Sequence, residues 1–474
     1  MRPQPYPYFL GPLPEQPKQD EAEFYKEDDS GKVRISPTKF YRYLSSIGYR
    51  YDGVNERLIY IKDNVYRHAF IAEITMDLRK RFDKQEDVLN ELIKKLDIYL
   101  RKSKIALLNP ITIVKYHDPD NVCRLFFKNK YVEISKDGQV FKDYKDADFM
   151  IPESKIVKHV IFEECGPETD FAKFMKNIST DNDKVDEVTL QRLRSSMAYL
   201  LHNNKSSDVK PIILLTDYTK EKNHGGTGKS LILKALSIPK GSNMVSLNGK
   251  EVALDSKFRN QNLTLETELV GIDDLKVNFN PEGFYGGSTW GIQIERKGKT
   301  SILLSIEDSP KHVFTSNSVP LKSGDSTIRR FITIELKRFY NANHRPIDDF
   351  DKLFFDQWNE DEFNSFFHYL FGCIQEYFAN GKVIPEPTIG FAKEKMLIND
   401  IGVAMYEFLE SLELDRKYTN SDLLDNCHKS NTRLEDITAT KIALRIKKYA
   451  EFKDYEVVEK NNGERSKILK KKAN

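Results

Sequence analysis

Apolar residues recur along this chain at two alternating periods, and the switches between them mark strands and helices. Phe40, Tyr43, Leu44 and Ile47 share one helical face, Leu58 to Val65 reads as a strand entering a turn, and amphipathic helices follow near 68–82 and 86–102. Arg124 to Ile134 holds two strand-like runs about a Lys128-Asn129 turn, and Lys136-Asp137-Gly138 closes a second hairpin. A helix near 185–203 leads into a continuous apolar run, Pro211 to Thr216, the mark of a buried strand. From there to about 340, strands and helices alternate as a parallel sheet requires. Phe363, Phe366, Phe367, Leu370, Phe371 and Ile374 keep helical spacing in a stripe that ends near Gly381 and reads as core. After Pro385 and Pro387 the pattern predicts three more helices. One carries Met405, Phe408, Leu409 and Leu412, one is capped by Asn420 or Ser421, and one runs from Thr438 through Tyr449. A hairpin over 455–470, turning at Asn461-Asn462-Gly463, completes the pattern of a winged helix.

The first 35 residues differ from all of this. Six prolines between Pro3 and Pro17 precede an acidic run with little apolar periodicity, which predicts an extended arm, either a plain tail or a partner-binding strap. These breaks give five segments: a flexible arm over 1–35, an α+β N-terminal domain over 36–184, an α/β core over 185–340, a helical extension and linker over 341–397, and a winged helix over 398–474.

With 74 Lys and Arg against 72 Asp and Glu, bulk charge says nothing about nucleic acid, so any basic surface must be local. The terminal helix and hairpin offer one, with Lys441, Arg445, Lys447, Lys448, Lys460, Arg465, Lys467 and 470–472 able to meet phosphates. The same module also docks proteins. Four widely separated cysteines (Cys123, Cys165, Cys373 and Cys427) include no CxxC pair, which argues against a zinc site or disulfide framework and fits a reducing cytoplasm. No apolar run approaches the ~18 residues of a membrane span, so no membrane partner is expected. The first third holds no paired carboxylates at metal spacing, and no primase activity is expected of it.

The chemistry concentrates at Asn223-His224-Gly225-Gly226-Thr227-Gly228-Lys229-Ser230, between the 211–216 strand and a helix beginning near Leu231. Strand, glycine-rich loop and helix make a phosphate-binding P-loop. Gly225, Gly226 and Gly228 let backbone N–H groups turn toward phosphate oxygens at a helix N-terminus. Lys229 would reach the outer phosphates of ATP and Ser230 would hold Mg²⁺, while Asn223 replaces the usual first glycine. Leu269 to Leu275 is an apolar strand ending in two carboxylates, a Walker B pattern with Asp273 suited to Mg²⁺ and Asp274 to the attacking water. Val313 to Asn317 is another strand, ending in an asparagine able to bond the γ-phosphate or the water. Tyr285 to Lys299 is expected to form a hairpin tipped by Arg296, Lys297 and Lys299, either a DNA-tracking device or a solvated basic turn. Ser326-Thr327-Ile328-Arg329-Arg330 enters the next strand, and adjacent arginines there are ordinarily surface charges.

Taken in this order, the parts resemble the superfamily 3 helicases, AAA+ ring ATPases of small DNA viruses, phages, plasmids and mobile elements. The likeness is greatest to the phage and poxvirus-type primase-helicase branch. It rests on Gly225 to Ser230, Ile272 to Leu275, Arg296 to Lys299, Ser309 to Asn317 and Ser326 to Arg330. It is specific over about 190–340 and leaves the first hundred residues uncovered. The resemblance implies an α/β AAA+ P-loop core, between the α+β N-terminal domain as a collar and the C-terminal winged helix. It implies a homo-oligomeric ring, a hexamer, that hydrolyses ATP with Mg²⁺ and translocates 3′ to 5′ on single-stranded or forked DNA beside a separate primase or polymerase. Asn317 would be the sensor, and Arg329 or Arg330 the finger that completes a neighbour's site. An origin-melting initiator and a non-helicase AAA+ remodeller or packaging motor are the alternatives.

Overall fold

The computed structural model describes residues 24–164, 169–206, 208, 210–217, 226–251, 256, 258–276, 281–298, 301–317, 330–386, 394, 397–398, 400–431, 434–462 and 464–471. They divide into two compact units. One is formed by residues up to Tyr116 together with Asp143–Glu153, the other by His117–Lys142 and everything from Ser154 onward.

In the first unit a mixed five-stranded sheet runs in the spatial order Ile151–Pro152, Val65–His68, Arg57–Lys62, Tyr49–Asp52, Pro110–Ile111. The helices Pro37–Ser46, Ile71–Arg81 and Glu86–Tyr99 bury Phe40, Leu44, Ile74, Leu78 and Leu92 in one core. The expected arm ends sooner than its composition suggests. Tyr25–Glu27 pairs antiparallel with Val33–Ile35, and fully buried Phe24 meets the rings of Phe40 and Phe82 edge-on at 5.3 and 5.5 Å. Asp28 holds the intervening turn by accepting from the Ser30 hydroxyl and the Lys32 amide, which pull its carboxyl down to about 2. Acidic residues that looked like solvated tail are here turn-formers. Residues 1–23 lie outside the described residues.

The second unit centres on a five-stranded, wholly parallel sheet. Its strands in chain order are β1 (Ile212–Asp217), β2 (Met244–Asn248), β3 (Leu269–Leu275), β4 (Lys311–Ser316) and β5 (Phe331–Leu336), and their spatial order is β2-β3-β4-β1-β5. β1 is buried along its whole length, as its apolar run requires. Helix Lys229–Lys240 follows β1, and helices Glu187–Leu201 and Glu360–Ala379 pack together beside the sheet. Segments 117–142 and 154–184 belong here and not with the residues before them, so the expected 36–184 domain is shared between the two units. The aromatic stripe of helix Glu360–Ala379 explains why. Phe127 meets Phe367 edge-on at 4.7 Å, His159 stacks on Phe363 at 3.8 Å, and Phe171 meets Phe366 at 5.0 Å. A helix apolar over so wide a face needs cover on more than one side.

The terminal residues form helices Val403–Glu410, Asn420–Ser430 and Ala439–Lys453 with an antiparallel sheet ordered Lys417–Thr419, Glu464–Lys471, Tyr455–Asn462. The second helix is capped by Thr419 rather than Asn420 or Ser421. Its hydroxyl accepts from the Asp422 amide at 3.0 Å while the Asp422 carboxylate accepts from the Thr419 amide at 2.9 Å. Thr438 caps the third helix through the Lys441 amide. Several expected basic residues are neutralised: Lys447 and Lys467 both pair with Glu459, and Lys448 pairs with Asp400. No helix among the described residues is long and apolar enough to cross a membrane.

Charge is buried where the N-terminal ends of β3 and β4 meet. Glu268, just before β3, accepts from Lys155, from Lys240 at 2.8 Å and from Asn203 at 3.0 Å. Burial opposes its ionisation, but the Lys155 and Lys240 charges prevail and hold its carboxyl at about 2. A carboxyl with a depressed folded-state pKa contributes stability above its ordinary value of 4.5 and loses it as pH falls toward about 2. Glu268→Ala is expected to lower unfolding stability by about 3–5 kcal/mol in urea titrations at neutral pH, because it leaves two buried ammonium groups uncompensated. The difference from the parent should shrink as pH falls from 4.5 toward about 2.

Candidate functional site

The parallel sheet sets the site by bringing the C-terminal ends of β1, β3 and β4 to one edge. Helix Lys229–Lys240 opens there after Gly228, which has φ +102°, and Gly226 has φ +93°. Both values favour glycine. Gly228 has a second reason to lack a side chain, since a Cβ would stand 2.6 Å from the ring of buried Phe174.

Lys229 is buried. Its ammonium donates to the Asp217 carboxylate, which ends β1, to Asn317 Oδ1 at 3.0 Å and to the Thr227 hydroxyl at 3.4 Å. Thr227 also donates to Asp217. The expected P-loop lysine and sensor asparagine therefore meet directly, because β4 lies between β3 and β1 and delivers Asn317 beside the loop. Ser230 Oγ donates to Asp273 Oδ2 at 2.8 Å, which joins the first helical turn to β3.

The two β3 carboxylates face different surroundings because the β3–β4 register shifts between Ile272 and Leu275. Asp274 sits at φ +57°, a left-handed conformation that aspartate tolerates better than most residues. Buried Thr315 fixes the irregularity. Its hydroxyl donates to Asp273 Oδ1 at 2.5 Å and accepts from the Asp274 amide at 2.8 Å. The Asp274 side chain pairs with Lys250 at the surface.

Gly226, Thr227, Gly228, Lys229, Ser230, Asp273, Asp274 and Asn317 thus gather at one edge; Gly225, Lys299 and Arg329 lie outside the described residues. Arg330 does not join them. It directly precedes β5, and its carbonyl accepts from the Ile212 amide at 2.7 Å, at the opposite end of β1 from Asp217. A six-residue strand separates the two ends by about 20 Å. The Arg330 guanidinium reaches Thr289 Oγ1 at 3.4 Å.

The expected hairpin over 285–299 begins later and runs further along the chain. Tyr285–Thr289 is a helical turn, and the antiparallel pair is Ile292–Ile294 with Ile302–Leu304. Two adjacent glycines leave no alternating pattern to sustain a strand, and buried Phe284, 4.8 Å from the Phe314 ring, anchors the helical entry. Arg296 departs from its expected role as well. Its guanidinium turns back to donate to the Gln261 and Leu263 carbonyls, whereas Lys297 is exposed at the turn.

Sequence reasoning missed Asp217, Thr315 and Lys250. A carboxylate closing an apolar strand six residues before Asn223, and a threonine inside the β4 run, were the available signals. Nothing in the sequence pointed to Lys250.

Among the described residues no three or more His, Cys, Asp or Glu side chains gather as a metal site. The Ser230 hydroxyl and Asp273 carboxylate form an oxygen pair suited to a small hard cation held mainly by phosphates and water.

Residues 222–330 match the model of DUF5906, a protein family of unknown function. No curated protein matches the chain. Among solved structures, the apo A form of the NrS-1 C-terminal region is similar at 15% identity, covering 91% of this chain and 99% of that one with a TM-score of 0.43. A second apo structure of that region, residues 305–718, is also 15% identical, covering 92% of this chain and 99% of that one with a TM-score of 0.40.

Thr315→Val keeps the shape of the side chain and removes the hydroxyl that holds the Asp273 carboxylate and the Asp274 amide. For the ATP and Mg²⁺ that the sequence leads one to expect here, it should weaken Mg²⁺-dependent binding about tenfold or more, measured by titration of a fluorescent ATP analogue with and without Mg²⁺. Binding without Mg²⁺ should change little.

Proposed function

We propose that the chain is an ATP-driven helicase subunit of a phage or mobile element, acting on single-stranded DNA as part of a homo-oligomeric ring with an AAA+ core. One observation carries this reading: the meeting of Lys229, Asn317, Ser230 and Asp273 at the C-terminal edge of a parallel sheet whose P-loop strand adjoins the asparagine-bearing strand. Lys229 is suited to the β- and γ-phosphates of ATP, and the Ser230–Asp273 pair to Mg²⁺, which would neutralise phosphate charge during transfer to water. Asp217 and Asn317 hold the lysine in place, and Asn317 can turn an amide toward the γ-phosphate or the water. Asp274, released from Lys250, is the carboxylate available to orient that water.

Arg330 supports the ring. An arginine about 20 Å along the strand from the P-loop lysine can serve an ATP site only on another copy. The C-terminal three helices and antiparallel hairpin support the winged-helix reading. Their exposed Lys441 and Lys470 favour a duplex contact, and the pairing of Lys447, Lys448 and Lys467 with carboxylates makes that surface less basic than its composition. An initiator that melts an origin without processive unwinding is the second reading, and the winged helix is the feature that favours it.

ATP hydrolysis measured with and without single-stranded DNA, beside unwinding of a 3′-tailed duplex, tests the proposal with Lys229→Ala as the blank. Stimulation by DNA together with unwinding that the blank lacks is the expected result. Hydrolysis indifferent to DNA would overturn the helicase reading in favour of a remodeller. Arg330→Ala and Arg329→Ala should differ: the finger variant keeps ATP binding, loses at least about a hundredfold in turnover and regains part of it in rings mixed with Lys229→Ala subunits. Full turnover in both variants would sink the shared-site model.

A further inference from the structure

The chain contains two tryptophans, and the structure treats them in opposite ways. Trp358 packs among aromatic rings, with Phe355 at 4.5 Å and Phe354 at 5.3 Å. Trp290 is 84% exposed. An indole is the side chain with most to gain from burial, so one left in water on a well-held backbone points to a ligand.

The backbone around Trp290 is well held. Its amide donates to the Gly286 carbonyl at 2.8 Å, closing the turn Tyr285–Thr289. The next residue, Gly291, has φ +111°, and a Cβ there would fall 2.1 Å from the Leu304 carbonyl oxygen. Only glycine fits that approach, and the reversal it allows breaks the strand alternation. Ile292 and Ile294 therefore face the sheet core with Leu304, while Trp290 stays outside. The outer face of the hairpin carries Gln293 opposite Leu303, which is 76% exposed. The connecting turn exposes Lys297, while the Arg296 guanidinium beside it is taken by the Gln261 and Leu263 carbonyls.

We infer that Trp290 is a base-stacking residue, which receives an unpaired base of single-stranded DNA while exposed Lys297 of the adjoining turn meets its phosphate. An aromatic face beside a basic strip is what single strands need from a protein, since every base offers a π-face and every linkage a charge. A neighbouring copy of the chain fits less well. A tryptophan and a leucine supply a few hundred Å² of apolar contact at most, against roughly 800 Å² per partner in a stable interface, and the lysine beside them would be buried without a stated counter-charge. The inference rests on the proposed action on single-stranded DNA and adds the residue that grips the base.

The test uses the full chain carrying Trp358→Phe, so that Trp290 is the sole indole, selectively excited at the red edge of its absorption and titrated with a thymidine oligonucleotide. Binding is followed in parallel through the anisotropy of a dye on the oligonucleotide. The expected result is quenching of the indole emission along the same isotherm as the anisotropy. Trp290→Ala should weaken binding about tenfold or more, and Trp290→Phe should retain most of the affinity. Oligonucleotide binding with unchanged indole emission and an undiminished Trp290→Ala variant would overturn the stacking role while leaving the single-strand reading intact. No oligonucleotide binding, with hydrolysis indifferent to DNA, would remove the reading on which it rests. An emission shift that follows protein concentration without DNA would assign Trp290 to a contact between copies and overturn the proposal.

Discussion

Everything in the candidate site depends on the parallel pairing of five strands. Parallel strands all end at the same edge, and that edge collects whatever their last residues carry. Asp217 closes β1, Asp273 and Asp274 lie near the end of β3, and Asn317 follows β4. An antiparallel β4 would carry Asn317 to the far edge and leave Lys229 without its amide partner. The order of strands matters as much as their direction. β4 lies between β3 and β1, so Thr315 can reach the Asp273 and Asp274 side while Asn317 reaches Lys229.

The opposite edge is built differently. There the sheet buries charge: Glu268 is held by Lys155 and Lys240, while Lys311 donates to the Tyr199 and His202 carbonyls at 2.7 and 2.6 Å. Burial, with the positive charges of Lys240 and Lys210 nearby, pushes the Lys311 ammonium well below its usual pKa. His202, also buried, is lowered to about 4 and stays neutral near pH 7. Buried charge fixed by several partners holds strand ends in a single arrangement, because any slip strands an ion in apolar surroundings. The fixed register at one edge gives the residues at the other their positions.

Much of this was legible in the chain. The P-loop, the acidic end of β3 and the asparagine after β4 are short, local patterns, and strand and helix signals surrounded each. The aromatic stripe of helix Glu360–Ala379 was legible as core, but its partners were not, since Phe127, His159 and Phe171 come from segments about two hundred residues earlier. The division of residues 36–184 follows from that unseen packing. Other features depended on one contact that no periodicity encodes. Thr315 matters because a bulge brings the Asp273 carboxylate and the Asp274 amide to one hydroxyl, and Phe24 joins the core because its ring packs against Phe40 and Phe82. Arg296 looked like a free cation until two carbonyls of a neighbouring turn claimed it.

The separation of Lys229 from Arg330 along β1 also limits the symmetry of any assembly that uses both. A two-fold axis can serve both only where the two ends share one self-complementary patch, with Lys229 of each copy facing Arg330 of the other. Otherwise contact between unlike edges is head-to-tail, and it repeats from copy to copy until the rotation closes or runs on as a helix. In such a head-to-tail array every site that needs both edges belongs to a junction and none to a single chain. A closed circle has as many complete sites as subunits. An open arc always has one fewer.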